Sequence, residues 1–255
     1  MSMITTTHPV AGFDTQPWPL VAARKDHWGF WSSLGWVVLA LTVATVSTVT
    51  LSFAYFTLNG LTGIRLDGQI LQSLAYAAFS AIAVVVIAAA AARRSDWQTY
   101  LGLVWPRWSF IGLGFAVLAV EIAFNVGLFS LVPLVDDSTS GIVDEYQAAL
   151  GNPVALTLFW LSLTVIAPVS EEIAFRGFIF RGWMSTRLGI TGAIVLSSLL
   201  FAAIHGPNHL PVFISLFVGG MLLATVRWLS GSIVPTILMH ATWNLGVGIL
   251  MALGV

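Results

Sequence analysis

Residues 153–183 read PVALTLFWLSLTVIAPVSEEIAFRGFIFRGW. The first eighteen carry no charge, and the stretch exceeds the roughly 20 residues that cross a bilayer as helix. Working outward, charge-poor apolar runs recur at 33–57, 70–92, 109–134, 190–208, 210–228 and 232–252. The count is seven spans, or eight if the long run at 153–183 is split. These runs predict an all-α polytopic membrane protein: a bundle of seven or eight transmembrane helices with an intramembrane polar site. The composition agrees. Of 255 residues, 8% are charged and 58% hydrophobic, with mean hydropathy +0.92. Soluble domains carry about 25% charged and about 45–50% apolar residues. No aqueous surface can be assembled from so few charges.

A formal net charge of −1 excludes the basic stripe that a nucleic-acid partner would require. The absence of cysteine excludes disulfides, thiolate metal sites and a catalytic thiol. Residues 1–32 read as a cytoplasmic N-terminal tail, its first 27 residues polar and proline-containing, ahead of an uncleaved first span. The basic residues test the seven-span count. Arg24, Lys25, Arg93, Arg94, Arg107, Arg181, Arg187 and Arg227 fall on one side of it, and Arg65 alone on the other. The positive-inside bias then puts the N-terminus in the cytoplasm and the C-terminus outside. The segment Trp97 to Trp108 (WQTYLGLVWPRW) is aromatic-rich and reads as interfacial. Residues 135–152 read as an acidic loop, with Asp136, Asp137, Asp144 and Glu145.

Ionisable groups at bilayer depth cost several kcal/mol, so each marks a candidate site. The N-terminal half offers Glu121, four residues before Asn125. The C-terminal half offers Glu171, Glu172, Arg176, His205, His209, His240 and Asn244. On a helix, Glu172 and Arg176 are i,i+4 and can pair. Glu171 points about 100° away and stays free as a base. The bland alternative is a structural ion pair with a spare acid. His205 could equally be a helix-packing hydrogen bonder. Gly206 and Pro207 interrupt the helix after it, which leaves His209 facing a loop. His240 and Asn244 share one helical face, as an amide-and-imidazole pair or as interhelical glue. At 1.5 Å per residue, Glu171 lies about 18 Å from the cytoplasmic face, His240 about 12 Å and His205 about 22 Å. These depths overlap within helix tilt. A free carboxylate, two imidazoles and a carboxamide make a water-activating and oxyanion-binding set.

The ordered motifs Glu-Glu-x-x-x-Arg (171–176), Phe-x-x-x-His (201–205) and His-x-x-x-Asn (240–244) resemble the CPBP family of CAAX prenyl proteases and bacteriocin-processing enzymes, also called Abi. The linking Phe217-Val-Gly-Gly220 and Gly231-Ser232-Ile-Val-Pro235 are also similar to that family. The likeness covers about 150–252 as a catalytic region and leaves 33–134 as variable transmembrane helices. It implies an intramembrane endopeptidase, glutamate-dependent, with a site opening towards the cytoplasm of a bacterial plasma membrane. Its implied partners are the lipid bilayer and a membrane-associated protein or peptide substrate, with no nucleic acid. In that reading Glu171 activates water with help from His205, Glu172 and Arg176 orient the carboxylate, and His240 and Asn244 stabilise the oxyanion. The family has also been described as metalloproteases, in which case Glu171, His205 and His240 would be zinc ligands. No His-Glu-x-x-His motif is present, nor a Gly-x-Ser-x-Gly elbow or an intramembrane aspartate pair. Two other readings compete: a proton-coupled membrane transporter using the same carboxylates as a relay, and a catalytically silent scaffold of the same family. Transporters show related polar sites in both halves, whereas this chain crowds them into one.

Overall fold

The computed structural model describes residues 27–63, 65–131, 140–206 and 209–254. Among these every regular element is a helix. In chain order they are α1 (Phe30–Thr62), α2 (Gly68–Ala92), α3 (Trp97–Leu101), α4 (Trp108–Leu131), α5 (Ser140–Ala149), α6 (Pro153–Met184), α7 (Gly189–Ile204), α8 (Leu210–Ser230) and α9 (Val234–Leu253). Six of them, α1, α2, α4, α6, α8 and α9, are long and apolar enough to cross a membrane, and α7 is a shorter apolar helix. The chain is a multi-pass membrane bundle. The long run at 153–183 stays one helix of 32 residues. The predicted span at 190–208 ends early: helix α7 stops at Ile204, and Gly206 adopts a φ of 57° that side-chain-bearing residues rarely take. Residues 1–26 of the expected tail, with Arg24 and Lys25, lie outside the described residues, as do Asp136, Asp137, Pro207 and Asn208.

Local chemistry sets the helix ends. Asn152 caps α6, accepting from the amides of Val154 (3.0 Å) and Ala155 (3.3 Å), with Pro153 just inside. Asp67 caps α2 in the same way through Gln69 (2.9 Å). Asp96 caps α3, and the Thr99 amide that it accepts holds its carboxyl below the ordinary carboxylate range.

Packing is inverted relative to a soluble protein. Small residues face inward between α1 and α2 (Ala40, Ala44, Ala83, Ala90), while Val46, Phe53 and Val85 point outward. Without water to drive association, close approach of small residues supplies the helix contacts. Helices α1 and α2 pack onto the C-terminal half of α6, so one apolar cluster joins Val37 and Ile87 to Phe178 and Trp183.

The arginines gather at one end. Trp28 donates to the Ala90 carbonyl (3.0 Å) and lies beneath Arg94, while Trp183 donates to the Phe30 carbonyl (3.3 Å). Arg227 donates to the Arg176 carbonyl (3.1 Å), and the Ile233 amide to Gly102 (2.9 Å). These contacts bring the start of α1, the ends of α2, α6 and α8, helix α3 and the start of α9 together. Arg93, Arg94, Arg107, Arg181, Arg187 and Arg227 all belong to that end, and Arg65 to the opposite one.

Two connecting segments differ from their sequence reading. Within Trp97–Trp108 the tryptophans at 105 and 108 are exposed, as expected of an interfacial stretch. Tyr100 and Leu101, however, are fully buried, and the Leu101 carbonyl abuts Gly177 so closely that a Cβ there would sit 3.0 Å away. The acidic 135–152 stretch contains a helix, α5, whose Tyr146 packs on Phe159 (5.7 Å between rings). The acidic residues concealed its Ile142/Tyr146 stripe.

Candidate active site

Helix α6 is not regular where the polar residues sit. Two π-helical stretches, Ser162–Ile166 and Ile173–Ile179, flank the α-helical turn Ala167–Glu172. Wide turns of this kind arise where the regular hydrogen-bond ladder is interrupted, and they occur often at functional sites. The first has a local cause. The Ala167 amide bonds to Ser162, and position 168 is proline, which has no N–H to offer the next carbonyl. The Leu163 carbonyl is satisfied instead by the side-chain amide of Asn244 at 2.9 Å. One hydrogen of that amide is thus spent on α6, and the second remains for the cavity.

The two adjacent glutamates diverge as the helical period requires. Glu172 is fully buried, and its Oε1 accepts from Arg176 Nη1 (2.9 Å) and from His240 Nδ1 (3.1 Å). Arg176, also buried, donates to the Gly220 carbonyl (3.3 Å) and lies over the Phe201 ring at 4.4 Å. Glu171 faces a cavity of about 250 Å³. Its Oε2 lies 3.7 Å from His205 Nε2 and 3.8 Å from His240 Nε2 and accepts no protein hydrogen bond.

The histidine tautomers follow from their partners. His205 Nδ1 is 2.7 Å from the Phe201 carbonyl, which can only accept, so Nδ1 carries the hydrogen. His240 Nδ1 donates to the carboxylate of the Glu172–Arg176 pair. Both rings therefore turn Nε2 towards Glu171. Separations of 3.7–3.8 Å are too long for direct hydrogen bonds and suit a bridging water.

All six residues expected from the sequence, Glu171, Glu172, Arg176, His205, His240 and Asn244, thus meet in one place, four of them on the cavity wall and two behind it. His209 does not join them. It stands at the N-cap of α8, off the cavity lining. Glu121 does. Helix α4 brings it into the cavity, buried against Gly219, where a Cβ would overlap its Oε1. Its sequence signal was its depth within a span, without any motif around it. Glu171, His205 and His240 have chemistry suitable for zinc, but no group of three or more His, Cys, Asp or Glu among the described residues is disposed to hold a metal ion.

Residues 153–246 match the family described as Type II CAAX prenyl endopeptidase Rce1-like. This stretch is similar to an Rce1-like domain. It contains every residue of the glutamate–histidine cluster, whereas Glu121 lies before it. The chain is also 30% identical, over 135 residues and 51% of its length, to an uncharacterized 24.3 kDa protein of Escherichia coli. That match spans 60% of the relative. No solved structure matches the chain.

Proposed function

We propose that the chain is a glutamate-dependent intramembrane endopeptidase of the CAAX type, acting on a peptide bond of a membrane-associated substrate. The observation that carries this reading is the convergence of Glu171 Oε2 with two Nε2 atoms whose rings are locked from behind. Burying an unpartnered carboxylate oxygen in a bundle is costly, and a water-filled cavity makes it tolerable.

Water bridging Glu171 and His205 gives up its proton to the carboxylate as it attacks the scissile carbonyl. The neutral His205 ring offers Nε2 as a second acceptor. Asn244 Nδ2 and, in its doubly protonated form, His240 Nε2 donate to the oxyanion. Glu172 and Arg176 never touch substrate. They fix the plane of the His240 ring through Nδ1, as the partner of a catalytic histidine does. Glu171 then returns its proton to the leaving amine, which completes hydrolysis. The arginine asymmetry supports a plasma-membrane orientation with the arginine-rich end in the cytoplasm.

The test is Glu171→Ala in cells, read by comparing the termini of membrane proteins with and without the substitution. Processing is expected to fall by about 10²–10⁴-fold, the contribution typical of a general base, while the folded protein stays in the membrane. Undiminished cleavage by that variant overturns the mechanism.

A further inference from the structure

The cavity has a direction. Helix α6 runs towards the arginine-rich end, and the lining residues Leu163 and Ala167 precede Glu171 on it, on the far side. Helix α8 also ends among the arginines, and its lining residues run from Ser215 and Leu216 past Gly219 to Leu223, so on this helix the cavity extends to both sides of Gly219. Helix α9 starts at the arginine end, and Trp243 and Asn244 lie beyond His240. On α6 and α9 the open space extends away from the arginines.

Towards the arginines the path is closed. Arg176, Phe178, Ile233 and Thr236 are at most 1% exposed beneath the site. The Leu101 backbone presses on Gly177, and Gly102 accepts the Ile233 amide (2.9 Å), so α3 forms a floor. In the other direction the wall is cut short. Helix α7 stops at Ile204, just before His205, which lies level with Glu171, whereas α9 continues thirteen residues past His240, about 20 Å. A second, mostly apolar cavity of about 530 Å³ shares Ile142, Leu163 and Ala167 with the first. It reaches Gln69 and Gln72 at the start of α2, beside Glu145, at the end that carries Arg65.

We propose that the site is loaded from the arginine-poor face, which lies outside the cytoplasm. The substrate class is then a peptide segment presented at the extracytoplasmic surface of the membrane, with apolar side chains to fill the larger cavity, and not a tail presented from the cytoplasm. This is the reverse of the opening that the family resemblance implied. Naming a substrate rests on the endopeptidase reading; the direction of access does not.

Since the chain has no cysteine, single cysteines report without background. Ala167→Cys and Ser215→Cys probe the cavity. Leu66→Cys marks the arginine-poor end, and Ser185→Cys marks the arginine-rich end. Each full-length variant is exposed to a membrane-impermeant maleimide in intact and in permeabilised cells, and loss of free thiol is measured. The expected result is that Leu66→Cys, Ala167→Cys and Ser215→Cys lose their thiols in intact cells and Ser185→Cys only after permeabilisation. The proposal is overturned if both cavity thiols react only after permeabilisation or in neither preparation. It is equally overturned if Leu66→Cys needs permeabilisation. Labelling involves no catalysis, so a failed Glu171→Ala test would leave this result standing, and the reverse holds too.

Discussion

At the scale of single residues, two neighbouring glutamates have opposite fates because one residue is 100° of helix. Glu172 is held by Arg176 and His240 with no exposure at all, whereas Glu171 keeps a free oxygen against two imidazoles. A buried ion pair stabilises little in net terms, but removing one partner strands the other. Arg176→Met is therefore expected to lower unfolding stability in detergent by about 3–5 kcal/mol. Glu172→Leu added to it should recover most of that loss. A single variant that unfolds at the wild-type midpoint would show that the pair is not coupled to the fold. The pairing itself was legible, since the spacing of Glu172 and Arg176 defines it. The membership of Glu121 was not, because its contact, Gly219, is nearly a hundred residues away and no local pattern announces it.

At the scale of elements, the wide turn at Ser162–Ile166 ties α9 to α6 through one side chain. Asn244→Ala removes a donor from the cavity and leaves the Leu163 carbonyl without its partner. Cleavage is expected to fall about 10²–10³-fold, and stability by about 1–3 kcal/mol. Asn244→Asp does not separate these roles, since a carboxylate can donate to neither oxygen, but it keeps the side-chain volume and so isolates the loss of the donor. Both variants should be measured for rate and for unfolding; an unchanged rate would remove Asn244 from the oxyanion site. The spans and the order of elements were readable from apolar runs. The wide turns were not, because Pro168 near the middle of an apolar run looks like a kink and not like a donor removed from one particular carbonyl. Nor was α5 readable, whose buried stripe is short and surrounded by acids, or the early end of α7.

At the scale of the whole molecule, the site depends on how the first two helices dock. Gly182 of α6 faces Ser33 and the Trp28 carbonyl, with no room for a Cβ beside the serine hydroxyl. The Phe30 and Trp183 rings stack there at 4.6 Å. Gly182→Ala should overpack this junction and lower stability by about 1–3 kcal/mol, and Ser33→Ala should relieve part of it. The measurement is a double-mutant cycle of unfolding midpoints, and strict additivity would mean that the two residues do not meet. The π-helical stretches on either side of Glu171 and Glu172 carry one more consequence, for how such a chain can change length. Each wide turn accommodates a residue that a regular helix would not. Deleting one residue within Ile173–Ile179 would restore an ordinary helix and keep Phe180 and Trp183 near their present bearing on the glutamates, whereas a residue lost from the regular turn Ala167–Glu172 would swing the side chains on either side of it by about 100°. The bearing of the carboxylates towards their anchors is therefore kept by a count of residues, and side-chain identity alone cannot restore it once the count is wrong.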